Sequence, residues 1–173
     1  MQLRVPKWAD FEDWVELRRN NREHLQKWEP TWKDAHHSRH AYKTRLAQFK
    51  KMIAEDSGYP FHVFKSDETN RLVGACNLTS VRRGSLQGAH IGYWVGQEYA
   101  RNGYARASVR AALRFAFDDL GLHRVSAAVQ ADNQASINLL ETTGFTKEGL
   151  ARSYLKIDGA WEDHLIYARL SSD

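Results

Sequence analysis

The residues best placed to do chemistry follow an aromatic and β-branched run. After His90 to Val95, closed by Gly96, come Ala100-Arg101-Asn102-Gly103-Tyr104-Ala105 and then a strongly periodic stretch. Ala105, Val109, Ala112, Leu113, Ala116, Phe117 and Leu120 recur at helical spacing. That spacing predicts an amphipathic helix that starts at Gly103 and buries one stripe. Gly121 stands where a helix C-terminus favours a left-handed residue. The first turn of such a helix carries N–H groups without an internal partner and the positive end of the dipole. Gly103 and the small Ala105 let a ligand approach that backbone, and Arg101 and Arg106 add positive charge on either side. The guest that suits this arrangement is an anion such as a pyrophosphate. A glycine at a helix start is also compatible with a plain turn, so the reading depends on the elements around it.

Those elements form a strand–helix–strand unit. A second strand, His123 to Gln130, leads into Asp132-Asn133-Gln134-Ala135-Ser136, which opens a short helix ending at Thr143-Gly144-Phe145. Upstream, Leu3 to Val5 reads as a short strand cut by Pro6, and Asp10 as the N-cap of a helix from Phe11 to about Gln26. Phe11, Trp14, Val15, Arg18 and Leu25 lie near one face of that helix, and Trp28-Glu29-Pro30-Thr31-Trp32 breaks it. A further helix starts near Ser38 and stripes Tyr42, Leu46, Phe49 and Ile53. Strands Phe61 to Lys65 and Leu72 to Thr79 follow, and the chain closes with Tyr154 to Ile157, the turn Asp158-Gly159, and a last strand His164 to Leu170. The fold class is therefore α/β: a mixed sheet of about seven strands and about four helices, in a single domain over 1–173.

Composition narrows the function classes. A chain of 173 residues can bury roughly 70% of its unfolded surface in one core. Hydrophobic residues are 42% and charged residues 27% of the chain, as in an ordinary globular protein. No run reaches the ~18 apolar residues of a membrane helix, and the N-terminus lacks a signal-peptide core, so a cytoplasmic location is expected. The lone Cys76 allows no internal disulfide, lies in an apolar strand, and is expected to pack rather than react. The net charge of +4 is mild and scattered, which suits a polyanionic cofactor but gives no nucleic-acid arm. His36, His37 and His40 beside Asp34 read as an exposed helix start, and no metal site is expected.

This order of elements resembles the GCN5-related N-acetyltransferases, whose turn after the fourth strand follows Gln/Arg-x-x-Gly-x-Gly/Ala. Gly103 and Ala105 match its fourth and sixth positions, while Ala100 stands at the first and Arg101 where Gly is frequent. The resemblance implies acetyl-CoA as cosubstrate, with its pyrophosphate on Arg101, Asn102, Gly103, Tyr104, Ala105 and Arg106 and its pantetheine arm and thioester between the fourth and fifth strands. Trp28-Glu29-Pro30, Val81-Arg82-Arg83-Gly84-Ser85 and Tyr154-Leu155-Lys156-Ile157-Asp158-Gly159-Ala160-Trp161-Glu162-Asp163-His164 further resemble the bacterial ribosomal-protein-alanine N-acetyltransferases. That branch implies transfer to the N-terminal α-amine of a ribosomal protein, by a monomer or dimer.

In that family the backbone of the fourth strand, at Trp94 and Val95, supports the carbonyl oxygen that gains charge. Relatives often place a Tyr in the short helix for the leaving thiolate, and a Glu on the fifth strand; Leu140 and Ala127-Ala128-Val129 stand at those places. Ser136 is the remaining hydroxyl near the thioester, and Asn133 caps the helix and bonds the pantetheine amide. Ser136, Asn133 and Glu29 are thus the catalytic candidates. Glu29 is a candidate ammonium ligand or base, and Trp28, Trp32 and Tyr154 are candidate walls of the acceptor groove. Asp163 and His164 alternate along a strand and so face opposite ways. Two other readings stay open: a small-molecule amine acetyltransferase, acting on a polyamine, aminoglycoside or dipeptide, and a CoA-binding module without turnover.

Overall fold

A computed structural model describes residues 1–173. Seven strands form one sheet in the order β1-β2-β3-β4-β5-β7-β6. They are β1 Gln2–Arg4, β2 Gly58–Phe64, β3 Leu72–Arg82, β4 Gly88–Val95, β5 Arg124–Gln130, β6 Thr146–Ile157 and β7 Ala160–Leu170. All neighbours pair antiparallel except β4 and β5. Helices are α1 Phe11–Asn20, α2 Arg22–Gln26, α3 Arg39–Ala54, α4 Tyr104–Arg114 and α5 Gln134–Thr142.

The sheet has two unequal faces. On one, α4 and α5 pack Val109, Ala112, Leu113, Ile137 and Leu140 against Val73, Leu78, Val125 and Tyr167, within a buried cluster of 19 residues. On the other, α1 and α3 close a smaller cluster of seven that is rich in aromatic rings, among them Phe11, Trp14 and Tyr42. Each such side chain removed from water contributes about 1.5–3 kcal/mol. The first face therefore anchors the fold, while the second leans on aromatic and charged contacts as well.

The ends of β1, β2, β3, β4, β5 and β7 shift from the sequence reading by one to four residues, and three further differences bear on the site. The first helix does not run to Gln26. It stops at Asn20, and Asn21 turns its side chain onto the Leu17 carbonyl (2.9 Å) while accepting the Gln97 N–H (2.6 Å), so α1 and α2 are separate helices. Asp10 stands at the N-cap of α1 as expected, but its side chain makes no capping bond. Its carboxylate accepts from Arg4 (2.8 and 2.5 Å) and from the Lys7 N–H (2.8 Å) and lies 3.3 Å from His62, pinning a 3-10 turn to β1 and β2. Cations and donors around Asp10 hold its carboxyl far below the usual range, although burial alone would raise it. The sixth strand starts at Thr146, well before Tyr154. Its polar, exposed sequence carries no alternation, and only pairing with β7 makes it a strand.

The helix after β4 keeps its expected length. α4 passes into a π-turn over Phe115–Asp119 and ends at Gly121, which is left-handed at φ +64°. Cys76 is fully buried, which pushes its thiol up to about 12 and keeps it from nucleophilic chemistry. No helix is long and apolar enough to cross a membrane.

Candidate active site

The parallel pair β4–β5 is short. Only Gly88 with Arg124, Ala89 with Val125 and His90 with Ser126 are partners. β4 continues to Val95 on β3, and β5 continues to Gln130 on β7, so the two strands part after His90. Trp94 and Val95 lie on the parted end of β4, where backbone groups on the β5 side have no strand partner.

The turn beyond β4 is built for an anion. Gly103 is the N-cap of α4 at φ +80°, no side chain caps the helix, and a Cβ on Gly103 would meet nothing within 4 Å. Beside it a cleft of about 340 Å³ runs along one flank of α4, lined by Met1, Gly103, Arg106, Ala107, Arg110 and Arg114. Arg101 also holds a left-handed conformation, φ +61°. This explains the glycine frequent there in the resembling family: the turn wants positive φ, and a non-glycine residue adopts it at a cost of about 1 kcal/mol. Asn102 bonds the Ala100 carbonyl (3.1 Å), and Tyr104 stands edge-on to Tyr99. An uncapped helix start with free space and flanking guanidinium groups fits the pyrophosphate of CoA.

On the far side of the splay, Asn133 caps α5: its Oδ1 accepts the Ser136 N–H at 3.1 Å. Ser136 is half-buried. Leu140, where relatives carry Tyr, is buried in the core. A different tyrosine reaches this point. Tyr93, on the α5 face of β4, spans the gap and sets its hydroxyl 3.5 Å from the Ser136 carbonyl. Burial pushes that phenol up to about 12, so it stays a protonated donor. The sequence reading missed Tyr93, although period-two alternation from Ile91 already placed it on the inner face.

The acceptor side is assembled from distant pieces. Glu29 accepts from both terminal nitrogens of Arg18 (3.1 and 2.5 Å) and from Trp32 Nε1 (2.9 Å). The Arg18 guanidinium is buried, 4.0 Å from the Trp32 ring centroid and 5.1 Å from that of Trp94. Glu29 and buried Trp32 are therefore tied to Arg18 and do not line the cavity that Trp28 reaches. The same cationic cluster and burial hold the neighbouring His37 down at about 4, and hence neutral. The Glu29 carbonyl accepts the Asp158 N–H at 3.0 Å, and Gln26 bonds the Asp158 carboxylate at 2.9 Å. The Trp28-Glu29-Pro30 turn and the β6–β7 hairpin, far apart in sequence, thus meet. Between them and the end of β5 lies a cavity of about 540 Å³, reaching Trp28, Asp132, Asp158, Trp161 and Glu162. Tyr154 is outside its lining, with its ring on buried His164 at 5.8 Å. Asp163 holds the Ser153 N–H (2.7 Å) and His164 Nδ1 faces the Glu162 carbonyl (2.9 Å), so the two do not form a pair. No three His, Cys, Asp or Glu side chains converge as a metal site would require.

The family model described as an acetyltransferase (GNAT) domain matches residues 1–146. The chain belongs to the GNAT acetyltransferase family. It is 34% identical over 165 residues to the "Probable N-acetyltransferase YjcK" of Bacillus subtilis (strain 168), covering 95% of this chain and 91% of that one. It is 33% identical over 153 residues to the "[Ribosomal protein uS5]-alanine N-acetyltransferase" of Escherichia coli (strain K12), covering 88% and 78%. The solved structure of Mycobacterium smegmatis RimJ in complex with CoA-disulfide superposes with a TM-score of 0.92 at 30% identity, covering 98% of this chain and 81% of that one. The protein is an acetyl-CoA-dependent N-acetyltransferase of the GNAT type.

Proposed function

We propose that the 173-residue chain works as one catalytic domain that acetylates the N-terminal α-amine of a protein, with a ribosomal protein that begins with alanine as the favoured acceptor. The observation that carries this reading is the chemistry around Glu29. The Glu29 carboxylate is already held by Arg18 and Trp32, β5 offers only Ala127-Ala128-Val129 along the splay, and the free carboxylates Asp132, Asp158, Glu162 and Asp163 line a cavity at the end of β5 whose wall includes neither Trp94 nor Val95. Such a site is poorly equipped to deprotonate lysine, with a pKa of ~10.4, whereas an α-amine at ~7.7–8.0 is partly neutral already. The likeness to the E. coli uS5-alanine enzyme supports the same acceptor class.

When bound, acetyl-CoA supplies the thioester carbonyl that the amine attacks. Gly103 and the first-turn N–H groups of α4 hold the pyrophosphate, with Arg101 and Arg106 adding charge and Asn102, Tyr104 and Ala105 shaping the turn. The parted β4 backbone at Trp94 and Val95 receives the carbonyl oxygen. Asn133 fixes the start of α5 and bonds the pantetheine amide, and Ser136 Oγ–H donates toward the sulfur. Glu29 acts by fixing the turn that carries Trp28, and Tyr154, whose ring lies on His164 and not in the cavity wall, supports β7 from the bulged part of β6. A peptide carrying both an N-terminal alanine and an internal lysine tests the reading. Mass spectrometry should find the acetyl group on the α-amine. Label mainly on lysine would overturn it, and transfer only to small amines would move the acceptor to the small-molecule class.

A further inference from the structure

The cavity beside the splay differs in charge from the rest of the molecule. The chain carries a net charge of +4. Yet the cavity wall presents Asp132, Asp158, Glu162 and Asp163 against one amine, Lys27. None of these four carboxylates takes part in an ion pair with the protein. Asp158 and Asp163 only accept one neutral donor each, Gln26 and the Ser153 N–H. Two indoles flank the carboxylates. Trp28 is half-buried, and Trp161 is 63% exposed, unusual for a large ring with no partner. Asp132 directly precedes Asn133, so the acidic wall adjoins the N-cap of α5.

We propose that this cavity binds the residues that follow the acceptor's N-terminal amine and selects a basic segment there, with lysine or arginine within the first few positions. This rests on the α-amine reading above. The volume, about 540 Å³, lies in the ~300–1,000 Å³ range of sites that enclose small ligands. Four carboxylates to one amine attract a cationic chain and repel an acidic one. The indole of Trp161 adds cation–π attraction for lysine or arginine, while Trp28, whose ring already carries Lys27 Nζ at 4.9 Å from its centroid, adds apolar contact for the chain. The same charge sets a salt dependence. Exposed pairs are screened over about 10 Å at 0.1 M and about 3 Å at 1 M ionic strength, so selectivity fades as salt rises.

The experiment is a competition in one tube between two peptides of equal length, both starting with alanine. One carries Lys-Arg at positions two and three and the other Ser-Gly. Acetylated products are counted by mass spectrometry, and the ratio is indifferent to how much enzyme is folded. The wild-type protein should favour the basic peptide about tenfold, and the preference should fall toward one in 1 M salt. Glu162→Gln and Asp132→Asn should each lower the ratio, the two together most. Both peptides acetylated equally on alanine, or a ratio unmoved by salt and by both variants, would overturn the inference and leave the α-amine reading standing. Transfer to spermidine with none to either peptide would overturn both together.

Discussion

The two halves of the site are made of different material. The half proposed for the cofactor, from β4 through α4 to the start of α5, is built from backbone: a left-handed Gly103, uncapped N–H groups, and two strands that part after His90. The acceptor half is built from side chains that meet across long stretches of sequence: Arg18 with Glu29, Trp32 beneath them, and Asn21 reaching Gln97. A backbone cradle is local, tolerates almost any flanking side chain, and serves one invariant ligand. A surface made of side-chain pairs is held by a few buried contacts and can be retuned for a new acceptor without touching the cofactor.

The comparison breaks most visibly at Gly103. Gly103→Glu puts a Cβ and a carboxylate into the open space that the pyrophosphate needs, at a φ of +80° that glutamate resists. CoA affinity should fall by about a hundredfold or more, equivalent to ~2.7 kcal/mol, while the 19-residue core away from this exposed turn stays intact. Titration calorimetry of a variant with wild-type circular dichroism checks this. Unchanged affinity would place the cofactor elsewhere.

On the acceptor half the largest effect is on stability. Glu29→Gln keeps the shape but leaves the buried Arg18 guanidinium without its counter-charge, and Arg18 Nε already has no partner. Breaking such a pair costs several kcal/mol when both groups are buried. Glu29 is 24% exposed, so a loss of about 2 kcal/mol is expected. Denaturant unfolding should show it, and the Michaelis constant for peptide should rise as the Trp28 turn loosens, with CoA affinity unmoved. A fully stable variant with wild-type peptide kinetics would mean that this pair supports neither the fold nor the groove.

That contrast also explains what the sequence made legible. The strand–turn–helix around Gly103 could be read because period, glycine and small residues lie within about twenty positions. The seven strands, the Asn133 cap and the break at Trp28-Glu29-Pro30 were visible for the same reason. Arg18 was visible as a charge on an apolar helix face, but its partner, eleven residues away across a helix break, was not. Asn21 inside a continuous helical pattern gave no sign that Gln97, 76 positions on, would claim its side chain. The early part of β6 was hidden because an exposed edge strand carries no alternation. Tyr93 could have been found by asking which tyrosine, on any element, takes the place that Leu140 leaves.

The smallest effect sharpens the boundary between the halves. Ser136 and Tyr93 meet at the start of α5, where the proposed thioester site lies: one hydroxyl on the first turn of α5, the other 3.5 Å from that residue's carbonyl. The amine attacks, the C–S bond breaks, and the electron pair goes to sulfur, which then needs a hydrogen bond or a proton. Ser136→Ala removes the candidate donor and should lower kcat about tenfold, ~1.4 kcal/mol, leaving the Michaelis constant for acetyl-CoA nearly as it was. Tyr93→Phe keeps the ring that fills the splay and deletes only its hydroxyl. The Tyr93 hydroxyl points at the Ser136 carbonyl, 3.5 Å away, so its expected part is to hold the start of α5. Tyr93→Phe should therefore cost about threefold, and almost nothing further when added to Ser136→Ala, because the group it positions is already gone. Multiplied losses in the double variant would assign Tyr93 a contact of its own with the sulfur. Wild-type kcat in Ser136→Ala would leave solvent as the proton source.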